Sequence, residues 1–293
     1  TNFYLVMKGN GNEFTYMDIP YTVTFDSNNN NPAADPAESE PNNDKNSADA
    51  LAFDTAIHAS TLNADDQDWF VVRNGASLTS TTITFSSTVD DLARVLTVYP
   101  EADTTTEPLA RIAVKNGTEL HLDLPETNKD YFFVVSDLRT QTGNSSYTNA
   151  PYTLTVRNNG ATSYNTEKRD NNTQFINTTV IDFSAHNSLH GQCQLTDISG
   201  AQQTANDTDW FSFQVVQGET YNFRFSAPET GSYWSVRLYN VTNQVVQQWY
   251  PDNTVNQTLA PYTAEASGSA YFEIIGGATP WGDDSMMYTI TKE

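Results

Sequence analysis

Two acidic segments, separated by some twenty residues, are dense in the oxygen donors that hard cations select. The first is Glu38-Ser39-Glu40-Pro41-Asn42-Asn43-Asp44 and the second is Asp65-Asp66-Gln67-Asp68-Trp69-Phe70. Calcium takes six to eight oxygen ligands from carboxylates, amides and backbone carbonyls. If Glu38, Glu40, Asp44, Asp65 and Asp68 converge, up to five negative charges meet, and without a cation each raises the others' pKa values. One or two calcium ions would neutralise most of that charge and tie the first segment to the strand that follows the second. The same residues also read as solvated acidic loops beside a strand, since their spacing is not that of an EF-hand loop.

Other reactive groups are sparse. There is no Gly-Xaa-Ser-Xaa-Gly elbow, no His-Glu-Xaa-Xaa-His and no glycine loop for phosphate, and the chain does not read as an enzyme. His186 and His190 stand four apart with Cys193 three further on, which on a helix would suit a transition metal. Their segment aligns with a strand, however, and His58 takes the place of His190 in a copy with no matching cysteine, so a strand position is expected. Trp69 and Trp210 occupy equivalent positions and are expected to be buried sandwich anchors. Trp234, Trp249 and Trp281, with Tyr233 and Tyr250, would grip protein or sugar only if exposed as a row. Triplets such as Asn116-Gly117-Thr118 arise by chance in a chain this rich in Asn and Thr.

The elements that must position these groups are strands. No stretch of a dozen residues sustains a helical stripe, whereas short alternating runs bounded by Asn, Asp, Gly and Pro recur. One pair of runs appears three times. It is Phe3-Tyr4-Leu5-Val6 with Pro20-Tyr21-Thr22-Val23-Thr24-Phe25; Tyr131-Phe132-Phe133-Val134-Val135 with Pro151-Tyr152-Thr153-Leu154-Thr155-Val156; and Tyr271-Phe272-Glu273-Ile274-Ile275 with Met287-Tyr288-Thr289-Ile290-Thr291-Lys292. Each pair reads as two strands closing a repeat. The organisation expected is a C-terminal hairpin of an incomplete repeat at 1–25, a linker at 26–37, a repeat at 38–157, a second linker at 158–172 and a repeat at 173–293. Strands are expected near 55–62, 68–73, 78–85, 94–100, 109–115, 118–124, 131–136 and 151–157. The fold class is all-β: tandem antiparallel jelly-roll-like β-sandwiches with an extra N-terminal β-hairpin.

At 293 residues there is room for two cores of ordinary size. The formal charge of −22 repels phosphate and excludes nucleic acid as a partner. One cysteine precludes an internal disulfide without fixing the compartment. No apolar run is long enough for a membrane span.

The Glu-Xaa-Glu-Pro-Asn-Asn-Asp opening, the Asp-Xaa-Asp-Trp-Phe strand and the closing Tyr-Phe-Xaa-Val-Val and Pro-Tyr-Thr-Leu-Thr-Val pair resemble a bacterial pre-peptidase C-terminal domain, a family similar to the collagen-binding domains of clostridial collagenases. The resemblance covers 38–157 well, 165–292 more loosely and 1–25 as a fragment. It implies a non-catalytic sandwich on a secreted or cell-surface bacterial protein, with Ca2+ held by Glu38, Glu40, Asn42, Asn43 or Asp44, Asp65 and Asp68. The last repeat departs from the pattern: Glu167 stands for Glu38, Arg169 for Glu40, Asp170 for Pro41, Asn171 for Asn42, Thr173 for Asp44, Asn206 for Asp65 and Asp209 for Asp68. There the Arg169 guanidinium is expected to replace the ion and pair with Asp209 or Glu167.

The function expected is therefore binding, adhesion or substrate targeting outside the cell, with an extracellular protein or polysaccharide as partner. One alternative is a structural subunit that self-associates by strand exchange through residues 1–25, building a filament. Another is an accessory C-terminal fragment of a secreted peptidase.

Overall fold

The computed structural model describes residues 36–89, 94–101, 104, 108–138, 148–167, 174–176, 178–192, 208–227, 233–251, 256–277 and 287–293. The expected hairpin at 1–25, nearly all of the first linker, Arg169, Cys193, Asn206 and Trp281 lie outside them. Residues Asp35–Glu293 form one compact unit. Its described residues are all-β, with no helix. No helix among the described residues is long and apolar enough to cross a membrane.

The first set of strands is β1 (Asp49–Ala50), β2 (Ala56–Ala59), β3 (Gln67–Arg73), β4 (Thr79–Ser87), β5 (Arg94–Pro100), β6 (Ala110–Val114), β7 (Thr118–Leu124), β8 (Asp130–Asp137) and β9 (Tyr152–Asn158). They build one sheet in the order β1-β3-β8-β5-β6 and another in the order β2-β9-β4-β7. The second set is β10 (Thr179–Ile181), β11 (Ser188–Gln192), β12 (Thr208–Val215), β13 (Thr220–Tyr221), β14 (Phe223–Ser226), β15 (Tyr233–Tyr239), β16 (Val245–Trp249), β17 (Asn256–Thr258), β18 (Tyr262–Thr263), β19 (Gly268–Gly277) and β20 (Met287–Lys292). Its sheets run β10-β12-β19-β15-β16 and β11-β20-β14-β17, with β13 and β18 paired beside them. The two orders correspond strand for strand in the five-stranded sheets, so the repeat seen in the sequence is a repeat of topology. All pairings between these strands are antiparallel except those of the short edge strands, β1 on β3 and β10 on β12, which are parallel.

Alternation decides which side chains enter each core. In β9, Tyr152, Leu154 and Val156 are buried while Thr153 and Thr155 are less so. Opposite them stand Phe70, Val72, Phe133 and Val135 from the facing sheet. Burying each such side chain is worth about 1.5–3 kcal/mol, which is why these positions recur in both copies. β5 and β6 bury both faces, because Val95 and Ala113 pack outward into the cluster that contains the second core.

Two expectations change. The recurring strand pair is not a hairpin in either described copy: β8 lies between β3 and β5, whereas β9 lies between β2 and β4 in the facing sheet, and β19 and β20 repeat the arrangement. Both edges of each strand are already paired to other partners, so the two strands of a pair lie in different sheets. The second change concerns the tryptophans. In β3 the inward row is Asp68, Phe70 and Val72, leaving Trp69 on the outer face, partly exposed, against Tyr99 and Phe132. Trp210 is also outside its core but buried, because Phe175 and Tyr239 pack against it and Tyr271 packs edge-on against Phe175. A tryptophan next to an inward aspartate must point the other way on a pleated strand.

Candidate metal centre

The segment 36–44 reaches the first sandwich through two backbone anchors. Ala37 bridges His58 in parallel, with Glu38 N donating to His58 O and His58 N to Pro36 O, each at 2.9 Å. Four residues on, the Asn42 carbonyl accepts from Trp69 N at 3.0 Å. These contacts, with a cis Glu40–Pro41 peptide between them, hold Glu38, Glu40 and Asn42 at the start of β3. One carboxylate oxygen from each of Glu38, Glu40 and Asp68 lies within 4.8 Å of the others.

Each of these groups is partly engaged. Glu38 Oε1 accepts from Ser60 N at 2.6 Å, and Glu38 Oε2 from the Asn42 amide at 3.5 Å. Glu40 Oε2 accepts from Asn42 N at 3.2 Å. The Asn42 amide also donates to Asp49 Oδ2 at 3.3 Å. Asp68 is fully buried, and its Oδ2 accepts a short hydrogen bond from the Tyr152 hydroxyl. Asp68 Oδ1 and Asn42 Oδ1 are buried with no hydrogen-bond partner among the described residues. Such orphaned oxygens are costly unless something else satisfies them.

The electrostatics agree. Burial, reinforced by Glu40 and Asp66, pushes the Glu38 carboxyl up to about 7 against the Ser60 and Asn42 hydrogen bonds. Burial likewise drives Asp68 up to about 7, with Glu38, Asp66 and Glu40 adding to it and the Tyr152 hydrogen bond opposing. Glu40 is raised too, by burial first and then by Asp66 and Asp49.

Of the residues singled out by sequence, Glu38, Glu40, Asn42 and Asp68 come together. Asn43 sits alongside rather than within: with its amide nitrogen turned inward it donates to Asp66 Oδ1 (2.7 Å) and the Gln67 carbonyl (2.9 Å). Asp44 turns away to cap its own loop, accepting from Asn46 N and Ser47 N, which hold its carboxyl below the usual range. Asp65 is exposed, its backbone N–H donating to Asn63 Oδ1 in a tight turn. Its neighbour Asp66 is the buried one, accepting from Leu62 N, and faces the cluster closely enough to raise three of its members. Asp49 was missed altogether; it accepts from Ser39 N at 2.7 Å and from Asn42. Only its place after the first acidic segment could have pointed to it.

The second sandwich has the same scaffold with different chemistry. Glu167 N donates to His190 O as Glu38 N does to His58 O, and Glu167 Oε2 accepts from Gln192 N, the counterpart of Ser60 N. The Gln192 side-chain amide then donates to Glu167 Oε1 at 3.1 Å. Asp209 keeps its tyrosine, with Tyr288 donating at 2.7 Å. A neutral amide thus meets Glu167 where the first sandwich gathers further carboxylates.

No protein-family model matches the chain, and no curated protein matches it. Solved structures do. The chain is similar to the pre-peptidase C-terminal domain of a collagenase from Bacillus anthracis, with 18% identity over 38% of this chain and 94% of that one and a TM-score of 0.29. It is also similar to the tandem CBM22 domains of Xyn10C from Paenibacillus barcinonensis, with 12% identity over 76% of this chain and 81% of that one and a TM-score of 0.18. A structure of the M60 catalytic domain with two CBM51 domains of Clostridium perfringens ZmpB matches at 7% identity over 82% of this chain and 34% of that one, with a TM-score of 0.24.

Proposed function

We propose that this chain is a non-catalytic, calcium-binding β-sandwich array of a secreted or cell-surface bacterial protein, used for binding, adhesion or substrate targeting. The observation that carries the calcium reading is Asp68: a wholly buried carboxylate with one oxygen unpartnered, clustered with Glu38 and Glu40. Two oxygens on opposite sides of one calcium at about 2.4 Å stand about 4.8 Å apart, so the spacing of the three carboxylates fits a single ion. Glu38, Glu40 and Asp68 would hold it, with the spare oxygen of Asn42 within the same segment. The ion would neutralise like charges and fasten the segment 36–44 to β2 and β3. In the second sandwich the Gln192 amide takes part of that role, so a single site is expected.

Isothermal titration of the chelated full chain with calcium tests the reading. Saturable binding of one ion, lost in Glu40→Gln and Asp68→Asn, is the expected result. A chain that binds no calcium, or binds it equally after both substitutions, refutes it.

A further inference from the structure

The seam between the sandwiches gathers three of the chain's four histidines. His121, on β7 of the first sandwich, lies 4.6 Å between ring centroids from His190, on β11 of the second, and His190 lies 6.2 Å from His186. Tyr164, from the connecting segment, meets His121 and His186 edge-on at 5.2 and 5.0 Å. Beside the rings opens a cleft of about 330 Å3 between Leu120 and His121 on one side and His190, Ser226 and Met287 on the other.

The ring nitrogens are arranged for neutral imidazoles. His121 Nδ1 lies 3.2 Å from Thr82 Oγ1, His190 Nδ1 is 3.2 Å from Thr289 Oγ1, and Ser188 Oγ stands between His186 Nδ1 and His190 Nε2. Hydroxyls can serve an imidazole as donor or acceptor but bring no charge to balance a proton.

The charged groups around the seam confirm the imbalance. From β7, Glu119 lies 3.4 Å from His121 Nε2 but is largely exposed. Asp123, also on β7, is committed to the connecting segment, accepting from Ser163 Oγ, Tyr164 N and Thr166 N. Across the first sheet Thr82 is followed by exposed Arg157 on β9. On the second side, Glu167 is held by Gln192, Asp182 by Ser184, and Arg224 of β14 by Glu293 at 3.6 Å. No carboxylate among these groups contacts the His190 ring.

We propose that this seam is a pH-sensitive joint: protonation of His121 and His190, packed on each other beside His186, uncouples the two sandwiches while each stays folded. Closed, the His121 and His190 rings repel each other as both gain positive charge at this separation. Apart, each is solvated. Burial first, then His121 and His186, hold His190 down to about 3, and burial likewise lowers His121 despite Glu119. Both groups titrate lower closed than free, so the closed state is favoured above about pH 6.5 and loses that advantage as the pH falls. For His190 alone the opening equilibrium should shift about a hundredfold by pH 4.5.

The test is small-angle X-ray scattering of the full chain from pH 7.5 to 4.5, with NMR contacts between the His121 and His190 rings followed in parallel. The radius of gyration should rise and those contacts vanish, reversibly, while far-ultraviolet circular dichroism stays constant. The midpoint should fall by at least half a pH unit in His186→Gln, which leaves the half-buried His190 ring in place, and further in His121→Gln. It should not move between calcium and chelator, which separates it from the acidic cluster of the first sandwich. Unchanged scattering and contacts down to pH 4.5, or an unchanged midpoint in both variants, overturns the proposal.

Discussion

Removing the proposed calcium ion should invert the ordinary pH dependence of stability in this acidic protein. In the metal-free chain Glu38 and Asp68 are raised to about 7 from ordinary values of 4.5 and 3.8. Their folded pKa lies above the unfolded one, so between about pH 4 and 7 the folded state holds more protons, and stability falls as the pH rises. Taken alone, the Asp68 shift corresponds to ~4 kcal/mol and that of Glu38 to ~3 kcal/mol. Glu38 is only half-buried, so solvent screening reduces its share, and the Asp68 shift already includes repulsion from Glu38, so the two do not simply add. A loss of about 2–4 kcal/mol from pH 4.5 to 7.5 is expected in chelator. Calcium at a hundred times its dissociation constant should restore about 2.7 kcal/mol at pH 7.5. Urea unfolding followed by tryptophan fluorescence at several pH values, with calcium or chelator, measures both. Asp68→Asn supplies the decisive contrast, because the amide keeps an oxygen for Tyr152 without the charge. That variant should be more stable than the parent in chelator at pH 7.5 and insensitive to calcium. A metal-free profile that rises with pH, or an Asp68→Asn chain that is weaker in chelator, would refute the reasoning.

Further substitutions read single contacts. Tyr152→Phe leaves both oxygens of buried Asp68 without a donor and should cost about 1–3 kcal/mol in urea unfolding of the metal-free chain. A methyl group on Gly191 would fall 2.2 Å from the Tyr288 hydroxyl oxygen. Gly191→Ala should therefore displace that ring from Asp209 and destabilise the second sandwich by about 1–3 kcal/mol, seen as a lower denaturation midpoint. Phe175→Ala uncovers Trp210, and a red-shifted emission with increased acrylamide quenching is the expected readout.

The strands themselves were legible because their side chains alternate. The expected 68–73, 94–100, 118–124 and 131–136 fall on β3, β5, β7 and β8 within a residue or two at either end. Asp68 was legible for the same reason: it shares the inward row with Phe70 and Val72, and Asp209 shares one with Phe211 and Phe213. The parallel placement of His58 and His190 was also correct, since each faces a threonine of the partner strand, Thr153 and Thr289.

What the sequence determined by itself is the existence of two equivalent all-β units and the concentration of acid at one end of the first. Tertiary structure alone decided which acids meet. Asp65 and Asp66 are chemically identical neighbours, and the turn closed by Asn63 and Leu62 sends one outward and buries the other. Asp44 is spent on its own loop, whereas Asn42 is drawn in by the hydrogen bond from Trp69 N. The histidine seam was equally hidden, because His121 lies in a different repeat from His186 and His190 and only the docking of the two sandwiches joins them. Composition and period fix what a residue can do and which face it takes; the partner it finds depends on chain closure over many tens of residues, which no local pattern encodes.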